Sequence, residues 1–163
     1  MEHFCCEASV GAGESVNGTA AAGVHEWLLL EARTPWGPKA PKDSGLHPTV
    51  EQALTQLAPK GGPLRVQLIR RPDRLRGPRR LYRVTQGRLY VQELDAAALR
   101  RWAATPGLDE GWSEFDEPIY LVCTHGKRDA CCAKWGLPLY NAFEAAVPGR
   151  VWKTTHLGGH RFA

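Results

Sequence analysis

The stretch Ile119-Tyr-Leu-Val-Cys123-Thr-His125-Gly-Lys127-Arg128-Asp129-Ala-Cys131-Cys132 decides how the chain is read. Its first residues are apolar or aromatic and end on a thiol, the pattern of a short buried strand. A polar loop with one glycine follows. A helix is expected from about Leu137 to Ala146, with Pro138 in the first turn, where its missing N–H leaves no bond unmade. Arg150-Val-Trp-Lys-Thr-Thr155 reads as the next strand and runs into His156-Leu-Gly-Gly-His160. Strand, loop, helix, strand is the order of a parallel crossover. Both loops then leave the same edge of the sheet, at the carboxyl ends of the strands, where α/β folds gather ligands.

Working outward, the earlier part of the chain repeats this order. Trp27-Leu-Leu-Leu-Glu31 is a short apolar run suited to a buried strand, and Thr34-Pro-Trp-Gly-Pro-Lys-Ala-Pro41 must be irregular because its prolines cannot donate to a ladder. Val50, Ala53, Leu54 and Leu57 are spaced as one helix face. Leu64 to Ile69 alternates as a half-buried strand. Leu81 to Thr85 and Arg88 to Leu94 flank Gln86-Gly87 as a hairpin. Asp95 is placed to cap a helix over 96–104. The series is compatible with a thioredoxin-like unit. The expected architecture is therefore α/β, two related thioredoxin-like halves: a leader or loop over 1–23, an N-terminal half over 24–105, a polar linker over 106–118 and a C-terminal half over 119–163. The second half runs out before its hairpin and last helix, so it is expected to be truncated and the chain to be a fragment.

The chain has 163 residues with 43% hydrophobic content, enough for a buried core in one domain or two small ones. It holds no run of about 18 apolar residues, the length a membrane span needs. The first residues lack the basic start and apolar stretch of a signal peptide, and a cytoplasmic setting is expected. Five cysteines, an odd number, argue against a disulfide framework and for metal or thiol chemistry. The net charge is +4, and much of it falls between Arg70 and Arg80. That run is expected to be a solvated loop between strands, with a docking patch for an acidic redox partner as the second reading. Nucleic acid fits poorly, because few aromatics interleave with these arginines.

The last third concentrates the reactive side chains. Eight residues separate Cys123 from Cys132 and three separate His156 from His160. Two thiols and two imidazoles form a four-donor set of the types used by zinc and iron–sulfur centres. Which of the adjacent Cys131 and Cys132 binds is left open by the residues themselves. Neighbouring side chains diverge, so one of the pair is expected to be a small buried residue. His125 follows Cys123 at one-residue spacing, but no Cys-x-x-His loop completes a Rieske site, and it is read as supporting the ligands. Asp129 is read as a helix cap, or as a hydrogen-bond partner of a ligand imidazole. Cys5 and Cys6 carry no expected metal role.

These motifs carry a resemblance. Ile119 to Gly136 together with Val151 to Ala163, supported by Phe4-Cys-Cys, Gly18-Thr-Ala, Trp27 to Glu31 and Leu68-Ile-Arg-Arg-Pro72, resemble the sucrase/ferredoxin-like family over essentially the whole chain. That family includes bacterial proteins and fungal actin-patch-distribution proteins and is related to thioredoxin-like [2Fe–2S] ferredoxins. The resemblance implies a [2Fe–2S] cluster held by Cys123, Cys132, His156 and His160, with Cys131 and His125 as alternates. It implies one-electron transfer or redox sensing with a protein redox partner. A structural Cys₂His₂ zinc site in a binding module and a thiol oxidoreductase using Cys131 and Cys132 are the competing readings. No phosphate-binding glycine loop or nucleophile elbow points to another enzyme class.

Overall fold

The computed structural model describes residues 5–14 and 23–157. Its elements are helix α1 (Cys5–Gly11), strand β1 (Glu26–Glu31), helix α2 (Pro48–Leu57), strands β2 (Leu64–Arg70), β3 (Arg79–Thr85) and β4 (Arg88–Leu94), helix α3 (Ala96–Ala104), strands β5 (Ser113–Glu114) and β6 (Tyr120–Cys123), helices α4 (Ala130–Lys134) and α5 (Gly136–Ala146), and strand β7 (Val151–Thr154). The strands form one mixed sheet in the order β5-β4-β3-β1-β2-β7-β6. β1 and β2 are parallel, as are β6 and β7, and the two pairs meet where β2 runs antiparallel to β7. One sheet therefore draws its strands from both sides of the linker.

Local chemistry explains the elements. The β3–β4 hairpin turns at Gln86 (φ 51°) and Gly87 (φ 73°). Two successive positive φ values make a turn whose twist matches its strands. Asp95 accepts a hydrogen bond from the Ala98 backbone N–H at 2.7 Å and starts α3. The segment expected to be leader contains α1, whose Glu7 pairs with Lys134 of α4 at 2.8 Å. The linker contains β5, which pairs with β4.

Cross-strand partners share a face, and following them across the sheet shows how the core is layered. Leu28, Leu30, Leu68 and Leu81 pack against Val50, Ala53 and Leu54 of α2 and Leu99 and Ala103 of α3. On the same face, Val122 and Val151 pack against Tyr140 of α5. The other face carries Leu29, Ile69, Tyr82 and Trp152, and none of the residues in that cluster belongs to a described helix. The linker residue Phe115 covers it, edge-on to Tyr82 at 5.5 Å. Guanidinium groups complete the cover: Arg71 and Arg74 lie over Trp152, Arg65 over Trp27 and Arg80 over Phe115.

This changes the reading of the basic run. Residues 71–78 do form a largely exposed loop between β2 and β3, but several arginines in and around it turn inward onto carboxylates. Glu31 is fully buried and accepts from Arg33 (3.1 Å), Arg74 (3.3 Å) and the Arg80 backbone N–H (3.0 Å). Arg71 is buried and pairs with Asp73 (2.9 Å) and Glu144 (3.3 Å). A buried carboxylate needs partners, and the arginines supply them.

Candidate metal centre

β6 ends on Cys123, whose register partner on β7 is Thr154. The chain then folds back on itself. The backbone N–H groups of Arg128 and Asp129 donate to the His125 carbonyl at 2.9 and 3.1 Å. The Asp129 carboxylate accepts from the Cys131 N–H at 2.8 Å, so the cap reading of Asp129 holds. This turn brings α4 over the strand end and sets Cys132 Sγ 3.0 Å from Cys123 Sγ. His156 leaves the end of β7 with its Nδ1 3.6 Å from Cys132 Sγ. One donor atom from each of Cys123, Cys132 and His156 lies within 4.8 Å of the others, and no other such group of three occurs among the described residues. Cys131 is buried on α4 outside this group, and His160 lies outside the described residues.

The two sulfurs divide their protons unequally. One hydrogen bond joins the two sulfurs, and the backbone N–H groups of His125 and Leu157 also point at Cys123. Against the opposing effect of burial, they bring the Cys123 thiol down to about 7. Cys132 is pushed well above the ordinary thiol range, first by holding the shared proton and then by burial. Burial lowers the His156 imidazole, which favours its neutral, ligating form.

His125 does not join the donors. Its Nδ1 accepts from the His156 backbone N–H at 3.2 Å, which places the ring proton on Nε2, 2.8 Å from the Gly37 carbonyl. Both ring nitrogens are committed to backbone, and the ring holds the His156 loop in place. Trp36 stands edge-on to it at 5.9 Å. More braces come from β2. Gln67 Nε2 donates to the His156 carbonyl at 3.2 Å, Arg65 to the Leu157 carbonyl, and Thr155 Oγ1 to Gln67 Oε1. Residues of β2 and of the loop after β1 gave no sign of this role in the sequence, because their partners lie some ninety positions away. Gly136 did carry one, as the glycine closing the motif. A Cβ there would lie 2.0 Å from the Cys123 carbonyl oxygen, so only glycine lets α5 begin against the end of β6. A cleft of about 380 Å³ opens beside His156, with Lys39, Arg65, Gln67, His125 and Arg128 among its walls.

The donor set suits a thiophilic metal. A metal–sulfur bond of about 2.3 Å and a metal–nitrogen bond of about 2.0 Å at the tetrahedral angle put the two donors about 3.5 Å apart, close to the 3.6 Å between Cys132 Sγ and His156 Nδ1. The shorter sulfur–sulfur distance is that of a pair sharing a proton, which a metal would displace.

The fold and this cluster define an α/β protein with a Cys/Cys/His group capable of binding metal. Residues 16–163 match the family model described as sucrase/ferredoxin-like. The chain belongs to that family. No curated protein and no solved structure matches it.

Proposed function

We propose that the protein is a ferredoxin-like [2Fe–2S] carrier or redox sensor whose cluster is held by Cys123, Cys132, His156 and His160. The convergence of Cys123, Cys132 and His156 on one point carries the reading. The cluster, when bound, would take up and return one electron. The chain's own part is to present a sulfur already inclined to be thiolate, to aim the His125 and Leu157 amides at it, and to fix His156 through His125 and Gln67. Imidazole in place of thiolate removes negative charge and raises the potential; Rieske centres span roughly −150 to +300 mV. We also read the fold as two thioredoxin-like halves over 24–105 and 119–163. The two parallel strand pairs that meet antiparallel at β2 and β7 support this. Three buried cysteines that form no disulfide suit a reducing compartment such as the cytoplasm, and no described helix is long and apolar enough to cross a membrane. The basic walls of the cleft suit an acidic protein redox partner.

Anaerobic reconstitution tests the assignment through visible absorption, iron and sulfide analysis, and low-temperature EPR after dithionite reduction. Two irons and two sulfides per chain are expected, with spectra that move toward an all-thiolate cluster in His156→Cys and His160→Cys. A colourless protein with one zinc per chain would overturn electron transfer in favour of a zinc-stabilised module. The sulfur–sulfur contact favours a second reading, thiol chemistry between Cys123 and Cys132 rather than between adjacent cysteines. Free thiols, no metal and disulfide reductase activity would select it.

A further inference from the structure

We propose that the seam between β2 and β7 carries a binding site for a phosphate group, in which Arg70 and Lys153 are the primary ligands. The two residues are register partners, so like charges stand directly opposite each other on one face of an antiparallel pair. That arrangement is destabilising unless something of opposite sign lies between them. Neither side chain has a hydrogen bond or ion pair to a described residue. Each rests on an aromatic ring instead: the Arg70 guanidinium 4.5 Å from the centre of Trp36, the Lys153 ammonium 4.6 Å from the centre of Tyr140. A ring supports a cation through its face and leaves the N–H donors unused.

No described carboxylate pairs with either residue. Glu31 serves Arg33 and Arg74, Asp73 serves Arg71, and Glu144 meets Arg71 and the Gly149 N–H through a single oxygen. Burial lowers the Arg70 and Lys153 cations from their usual values, and Arg70 lowers Lys153 further. A bound anion would reverse both effects. The space before the two residues measures about 220 Å³ and is lined by Arg33, Arg70, Arg71, Pro72, Leu75 and Lys153. At ~30 Å³ per water it holds about seven waters, room for a phosphate and a small carrier rather than a protein segment. Planar guanidinium and compact ammonium together match a tetrahedral oxyanion. Trp36, which holds Arg70, also contacts His125, so this pocket adjoins the candidate metal centre without sharing its donors.

The test is a titration of the full chain with inorganic phosphate at constant ionic strength in chloride, read by calorimetry, with ribose 5-phosphate as a parallel arm. One saturable site per chain is expected. Arg70→Gln and Lys153→Gln should each weaken it about tenfold or more, the effect of losing one charge-assisted bond. Arg88→Gln, on the far hairpin and paired with Glu114, should bind like the parent. Without phosphate, Lys153→Gln should melt no lower than the parent, because it relieves the repulsion; phosphate should raise the parent's melting temperature and not the variant's. Tighter binding of the ester identifies a phosphorylated small molecule as the ligand, and tighter binding of the ion identifies free phosphate. Absence of saturable binding, or parental affinity in both variants, would overturn the site. So would binding of an oligoglutamate peptide through these two residues when phosphate does not bind.

Discussion

Cys123 and Cys132 illustrate how two identical side chains acquire different chemistry from their positions. In metal-free protein, alkylation of Cys123 should titrate near its lowered value of about 7, followed by mass spectrometry of the labelled peptide. Cys132→Ala removes the largest of the lowering contacts and leaves the His125 and Leu157 amides alone against burial, so the same titration should move upward. Asp73 shows the reverse influence, a carboxyl held low chiefly by its hydrogen bond to Arg71. Its contribution to stability is complete above the ordinary aspartate value of about 3.9 and is lost as pH falls through the lower folded value. Urea denaturation of Asp73→Asn should therefore show a flatter dependence on pH below 4 or so. Residue type and spacing marked the last third as the place where thiols and imidazoles could meet, but they left Cys131 and Cys132 undivided, and the structure groups Cys132 with Cys123 and His156. The roles of His125 and Gln67 were not readable, since a hydrogen bond to Gly37 or to the His156 loop leaves no trace in local sequence.

Elements with strong local signals matched their sequence readings closely. Gln86-Gly87 and Asp95 act within four residues of themselves, and the hairpin and α3 start where they indicate. β5 escaped notice because it has two residues, both exposed, and so no alternation to detect. The basic run was legible only in part: its charge pointed to an exposed loop, which residues 71–78 form, while Glu31, which draws in Arg74 and the Arg80 N–H, sits on β1 some forty positions earlier. Replacing Glu31 with Ala should cost about 3–5 kcal/mol in urea denaturation, the range for stripping one partner from a buried ion pair. At the junction of β6 and α5, Gly136→Ala forces a Cβ against the Cys123 carbonyl. It should lower stability by at least the ~1–3 kcal/mol of an overpacked interior. Metal uptake should fall with it, because the strand end that carries a donor must move.

At the scale of the whole molecule, the sheet is unevenly secured. β1 lies between β2 and β3 along nearly its full length, whereas β7 joins β2 through two register pairs and β6 is an outer strand of four residues. Hydrogen exchange should be slowest in β1, β2 and β3 and faster in β6 and β7. Reconstitution with metal should slow β6, α4 and β7 selectively, since the candidate ligands join those three segments. Equal protection before and after reconstitution would separate the ligands from the stability of this edge. The sheet's two faces are also covered by different materials. Helices pack one through apolar contact; the linker and arginine side chains lie across the other. Sulfate strengthens apolar burial, while added ions of any kind screen guanidinium from its carboxylates. Brine would thus tighten one side of the same sheet as it slackens the other.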